Sequence, residues 1–210
     1  MTLPNTSMTK ASIESAVVTG AFAVLSGGSV FSLDWGLKKD FRRYIARLIN
    51  GVCEIGGGVV PIGRGEFRFP AVASVANVPW STDNPLKFTG VLRFIGHERI
   101  LNVTLIDPRI EFNADGTQDI RLTIASGTRT DASRVPFAAL TLIDHDPSEG
   151  AVRFAAVLTE EGASLFAGNY TAGEDLDDIT VRQGPRDWPR DPVLHMRARQ
   201  PEPTIKIRTS

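Results

Sequence analysis

The sequence predicts a mainly-β domain, a β-sandwich or flattened barrel carrying one main helix and one short helix. Two observations lead there. From Glu66 onward, short apolar or alternating segments are separated by turns rich in Gly, Asp and Pro. Before that point only one stretch keeps helical spacing for more than two turns. The chain has 210 residues, 42% of them hydrophobic and 22% charged, which is enough to bury a sizeable core.

Residues 1–12 are polar and carry no core pattern, and Ala16–Leu25, rich in Val and Ala, reads as a first strand. Residues 26–30 read as a loop. Leu37, Phe41, Tyr44, Ile45, Leu48 and Ile49 then fall at helical spacing, with Lys38, Lys39, Arg42 and Arg43 mostly on the other face. This places the main helix at 37–50, capped by Asp34 and ended by Gly51. Gly56-Gly57-Gly58, with Gly63 and Gly65, reads as an irregular connector.

Glu66–Phe69 alternates as a strand. Leu86–Ile95 reads as one long strand and Arg99–Asp107 as its hairpin partner, turned at Gly96-His97-Glu98. Pro108 is expected to end that partner, with Arg109–Phe112 restarting it. Ala114–Thr117 is a turn, and Asp119–Ala125, Val135–Ile143 and Ala151–Val157 are three more strands. Thr159 opens a short helix at 160–167 with two acids in its first turn, and Asp178–Arg182 is a closing strand. The reading is a single domain over 1–182 and a tail over 183–210, rich in Pro and Arg, in which Ile205 and Ile207 add a short edge strand.

Composition removes several function classes. A net charge of -1 lacks the basic excess that phosphate backbones require, so no nucleic acid is expected as a partner. One cysteine, Cys53, excludes an intramolecular disulfide framework and multi-cysteine metal sites. No run of 18 apolar residues exists, so no transmembrane segment is expected. The N-terminal region lacks a convincing cleavage site, which predicts a cytoplasmic protein, with secretion as the alternative.

Chemistry concentrates in few places. Tyr44 is one of two tyrosines and lies on the apolar face of the helix, which is expected to pack with Phe41 and Leu48 on something apolar; His97 sits at a hairpin tip, where structure alone rarely asks for imidazole. A phenolate is a hard ligand for ferric iron. It must lose its proton well below the free phenol value of about 10, which a neighbouring imidazole or guanidinium promotes. The ordinary alternative is a core tyrosine with its hydroxyl at the rim and an unrelated loop histidine. The four helix basics read either as partners for carboxylates or as a solvated face. Asp144-His145-Asp146 offers metal-ligating types, but adjacent strand residues face opposite ways and a turn follows. The acids Glu174, Asp175, Asp177 and Asp178 lack the glycine and terminal glutamate of a calcium loop and read as a loop or strand entry. No P-loop, dinucleotide fingerprint or nucleophile elbow is present; Ser74 and Ser126 lack glycine framing.

Four blocks, in order, resemble the HtaA domain family of actinobacterial haem-binding proteins. They are Asp34-Trp35-Gly36-Leu37-Lys38 running into Asp40-Phe41-Arg42-Arg43-Tyr44, then Gly65–Pro70, then Phe88–Val91 through Phe94-Ile95-Gly96-His97 to Asp107-Pro108, and finally Leu158–Ala163 through Phe166-Ala167-Gly168 to Tyr170, Gly173 and Leu176-Asp177. The similarity spans Leu33 to Val181. It implies a β-rich sandwich that binds ferric haem for transfer or storage, with a haem donor or acceptor protein as a possible partner. By motif position it implies Tyr44 as the iron ligand and His97 as its hydrogen-bond partner, with Phe166 the candidate for a closing-segment phenylalanine against the porphyrin; Lys or Arg residues of the helix, Arg43 among them, would then meet the propionates. The family usually has serine where this chain has Asp40, one turn before Tyr44. A carboxylate there repels a propionate unless Arg43 or Lys39 offsets it. An alternative reading uses the same Tyr, His and Asp in an intracellular enzyme or small-molecule-binding site without haem. A third makes the tail, with Trp188, an interaction surface.

Overall fold

A computed structural model describes residues 30–72, 85–112, 120–128, 131–146, 148–184 and 206–209. The elements are β1 (Val30–Trp35), α1 (Lys39–Arg47), β2 (Val52–Gly56), β3 (Val60–Gly63), β4 (Glu66–Pro70), β5 (Leu86–Lys87), β6 (Val91–Gly96), a 3-10 turn (His97–Arg99), β7 (Leu101–Phe112), β8 (Ile120–Thr128), β9 (Asp131–Asp146), β10 (Ala151–Leu158), α2 (Glu160–Ser164), β11 (Ile179–Gly184) and β12 (Lys206–Thr209).

The strands form one 12-stranded sheet in the order β12-β2-β6-β7-β8-β9-β10-β11-β1-β4-β3, with β5 paired to β7. Pairing is antiparallel except where β12 runs parallel to β2. The sheet curls into an open half-barrel, because right-handed strand twist accumulates and bulges sharpen it. Register shifts lie between Ile106 and Arg109, between Leu122 and Thr123, and between Arg153 and Phe154. Its concave face carries the core. Trp35, Phe41, Phe67, Phe69, Phe94, Phe137 and Phe166 are all under 2% exposed. Trp35 meets Phe137 edge-on at 5.6 Å, and Phe41 meets Phe94 edge-on at 5.2 Å. The mainly-β class with one main and one short helix is as the sequence predicts.

Several element expectations change. The main helix is Lys39–Arg47, not 37–50. Leu37 takes a left-handed backbone (φ 71) ahead of it, and Leu48 is already extended. Asp34 does not cap the helix. It lies in β1, only 6% exposed, where Arg68 forks onto both its oxygens at 2.7 and 2.6 Å and Arg182 approaches at 3.3 Å. The segment before the helix is therefore a central strand, with β11 on one side and β4 on the other. The glycine-rich stretch is not an irregular connector: β2 ends at Gly56, and β3 pairs back on β4.

Leu86–Ile95 is two strands, β5 and β6, broken at Phe88–Gly90. Conversely, Pro108 does not end β7. It sits in the bulge, where it owes the ladder no N–H, and its carbonyl accepts from Phe88 at 3.0 Å. The short helix is Glu160–Ser164 rather than 160–167, with Thr159 accepting Gly162 N–H at 2.9 Å. An edge strand does form at Ile207, laid along β2. The expected strand Ala16–Leu25, the turn Ala114–Thr117, Ser74 and Trp188 lie outside the described residues. No helix among the described residues is long and apolar enough to cross a membrane.

The nine-residue α1 is too short to persist alone. Phe41 and Ile45, at 1% and 0% exposure, anchor it to the core. Their burial is worth about 3–5 kcal/mol together. Arg42 is buried beside them, which leaves Lys39, Asp40, Arg43, Tyr44 and Arg47 as the exposed positions.

Candidate functional site

Tyr44 is not part of the buried stripe of α1. It is 43% exposed, on the flank between the buried Phe41/Ile45 line and solvent. His97 begins the turn joining β6 to β7. That turn is tight, with Gly96 paired to Leu101, and both His97 (φ 46) and Glu98 (φ 55) adopt left-handed backbone. Such conformations are uncommon for residues other than glycine and mark a turn held in place by its surroundings. One of those surroundings is the end of the helix. Gly96 lies so close to Leu48 that a Cβ there would stand 2.5 Å from its Cδ1. The bare backbone lets the helix end rest on the hairpin.

The result is a hydrogen bond between the Tyr44 hydroxyl and His97 Nε2, joining residues 53 positions apart. The rings lie 5.8 Å apart at 46°. A neutral phenol donates to Nε2, whereas a phenolate accepts from Nε2–H. The second arrangement supports a charged oxygen and leaves its other lone pairs free for an electrophile. Around this pair, Ile49 and Ile100 are 89% and 85% exposed, one just past the helix end and one closing the turn. Both large apolar side chains are thus open to solvent beside the two elements that supply the pair.

The other sequence-predicted residues divide sharply. Asp40 lies one turn before Tyr44, is 79% exposed, and pairs with Arg43 at 3.5 Å. Of the four helix basics, two are consumed internally. Lys38 donates to Asp175 O at 2.6 Å and pairs with Glu174 at 3.4 Å. Arg42 is 7% exposed and ion-pairs with Asp177. The expected solvated face is therefore only Lys39 and Arg43, both exposed.

Phe166 is 1% exposed and packs edge-on against Phe41 at 5.3 Å. Tyr170 lies over it at 4.9 Å and is itself half-buried. Sequence reasoning passed over Tyr170, although it was the only other tyrosine. Burial, then the charges of Glu174, Asp40 and Tyr44, push its hydroxyl above the ordinary phenol value. Tyr170 thus stays a neutral phenol, and its ring carries Lys38 Nζ at 5.5 Å.

Asp146 accepts Ser148 N–H at 2.8 Å, its hydroxyl at 2.6 Å and Glu149 N–H at 3.2 Å, as a turn residue does. Asp144 pairs with Arg153 at 3.7 Å, and no cluster of three or more His, Cys, Asp or Glu among the described residues is arranged to hold a metal ion. Cys53 is fully buried, and burial, with Glu54 nearby, pushes its thiol up to about 12, which leaves it unreactive.

The HtaA family model matches residues 31–182. Among solved structures, the N-terminal domain of HtaA from Corynebacterium glutamicum is 25% identical with a TM-score of 0.57, covering 74% of this chain and 97% of that one. The C-terminal domain of the same protein is 24% identical with a TM-score of 0.54, covering 74% and 96%. HtaB from the same organism, described as a heme binding protein, is 20% identical with a TM-score of 0.51, covering 74% and 94%. No curated protein sequence matches the chain.

Proposed function

The chain belongs to the HtaA family, and from that premise we propose that it binds ferric haem through Tyr44, for transfer or storage. The observation that carries this reading is the hydrogen bond between an exposed tyrosine hydroxyl and His97. An imidazole N–H held against a phenolate oxygen stabilises the charged form that a hard ferric ion prefers. The surroundings suit a flat apolar macrocycle with two carboxylates. Ile49 and Ile100 offer apolar contact, Tyr170 a half-buried ring, and Lys39 and Arg43 positive charge for propionates. Asp40 is paired with Arg43 on the exposed side, an arrangement that offsets its charge toward a propionate. Phe166 is buried against Phe41, Phe137 and Tyr170, so the half-buried Tyr170 joins it as a candidate for the wall. The bound haem would supply the iron centre; the chain's own part is to hold it and to keep the phenolate partnered. The structural relative described as a heme binding protein shares the fold, which supports haem as the ligand to test. A haem donor or acceptor protein is the corresponding proposed partner.

A haemin titration tests the reading. The wild type is expected to give a saturable one-to-one Soret band, and Tyr44→Phe to lose it. Loose, non-saturable association by the wild type, or saturable binding unaltered by Tyr44→Phe, contradicts the proposal.

A further inference from the structure

Helix α1 has no cap of its own. Its N-cap position is Lys38, whose side chain makes no capping hydrogen bond. A helix start leaves several N–H groups without partners, yet Lys39 N–H is satisfied. It donates to Asp177 Oδ1 at 2.8 Å, across 138 residues of sequence. The second oxygen of the same carboxylate ion-pairs with Arg42, one turn along the helix. Asp177 backbone atoms complete the joint: its N–H donates to Leu37 O at 2.9 Å, and its carbonyl accepts from Trp35 Nε1 at 3.1 Å. One residue of the closing segment therefore grips the strand, the turn and the helix that precede Tyr44.

The grip is built in, because glycine makes room for it. A Cβ on Gly36 would stand 2.2 Å from Arg42 Nη1 and 2.8 Å from Asp177 Oδ2, and one on Gly65 would stand 2.7 Å from Arg42 Nε. Arg42 also donates to Gly36 O at 2.5 Å and Arg64 O at 3.3 Å. The guanidinium is thus fixed in a cradle of bare backbone.

We propose that Asp177 is the positioning residue of the Tyr44–His97 pair: it caps α1 from the closing segment and fixes the rotation and slide of the helix against the hairpin. Apolar contacts at Phe41 and Ile45 hold the helix down but are non-directional. Directed bonds at one end and the seat on Gly96 at the other leave Tyr44 between two fixed points. The proposal rests on the reading that this pair is the ligand site, but its first readout needs no haem.

The experiment compares wild type, Asp177→Ala and Asp177→Asn as full-length protein, with folding followed by circular dichroism. In haem-free protein, the His97 ring-nitrogen NMR signal reports the hydrogen bond to Tyr44. In Asp177→Ala it is expected to move toward the value of a free imidazole. Asp177→Asn, which keeps an acceptor for Lys39 N–H but loses the charge on Arg42, is expected to lie between, and it serves alone if the alanine variant does not fold. With haemin loaded, release to an excess of a haem-scavenging apoprotein is expected to quicken about five- to tenfold in the alanine variant, the order expected for loss of one cap. Folded variants whose His97 signal equals that of the wild type overturn the proposal, even if they melt earlier. If the wild type takes up no haemin while the His97 signal still moves, the positioning role stands and the ligand assignment fails.

Discussion

The Tyr44 hydroxyl is one of two phenols in the chain, and the fold gives them opposite roles. Tyr170 is pressed into the core margin among acids that hold it neutral, whereas Tyr44 meets an imidazole in the open. That contrast singles out Tyr44 as the proposed ligand more firmly than its place in a motif. Charge at single residues also makes stability depend on pH. Burial pushes the Glu66 carboxyl above the usual range, Asp34 and Asp177 push the same way, and Arg42 and Arg64 only partly oppose them. The folded state then holds that proton more tightly than the unfolded chain does. Its contribution is present below the ordinary glutamate value and is lost as pH rises through the folded value. Glu66→Gln should therefore raise the melting temperature at about pH 7 and bring little or no gain near pH 4, where the unfolded carboxyl is itself half protonated. A gain at the lower pH equal to that at the higher would show that burial of the carboxylate is not the cause.

At the scale of elements, β1 is the hinge of the architecture, and the sequence disguised it. Leu33-Asp34-Trp35 reads as the approach to a helix because Asp is a common cap and helical spacing begins at Leu37. Along the register Asp34 pairs with Arg68 of β4 and Thr180 of β11, 34 and 146 residues further on, and Arg182, two residues past Thr180, reaches the same carboxylate. Long-range pairing of this kind leaves no local trace. The cap was missed for the same reason, since Asp177 arrives from the other end of the domain. What was legible was local: the alternation of Glu66–Phe69, the Thr159 cap, the hairpin tip at His97 and the Phe41/Ile45 spacing. Pro108 misled because a proline reads as a strand end unless a bulge absorbs it, and the bulge is visible only in the pairing. A buried carboxylate tied to arginines on both neighbouring strands gives the element-scale prediction. Asp34→Ala removes the carboxylate that Arg68 and Arg182 share and should lower unfolding stability by about 1–3 kcal/mol in a denaturant titration, the cost of losing charge-assisted hydrogen bonds, since both arginines are partly exposed and Arg182 keeps Glu149. A loss of a few tenths would mean the arginines find other partners at no cost.

At the scale of the whole molecule, the curled sheet brings its two halves together at one place. α1 lies over β6, and the hairpin β6–β7 presents His97 at its tip. The closing segment after α2 returns to cap the helix and lays Tyr170 beside it. Three segments distant in sequence thus converge on the Tyr44 flank, while the rest of the sheet supplies a rigid base. The resemblance in the sequence located the pair. Its contact, its open setting and the route by which it is held became visible only in the curled sheet with its distant segments in place. The account stands on Tyr44 as the iron ligand, and resonance Raman of the ferric haem complex tests that claim most directly. The predicted result is a set of iron–phenolate modes in the wild type, absent in Tyr44→Phe and shifted in His97→Ala. A spectrum without phenolate modes, or one showing a histidine-ligated low-spin haem that Tyr44→Phe leaves unchanged, would contradict it.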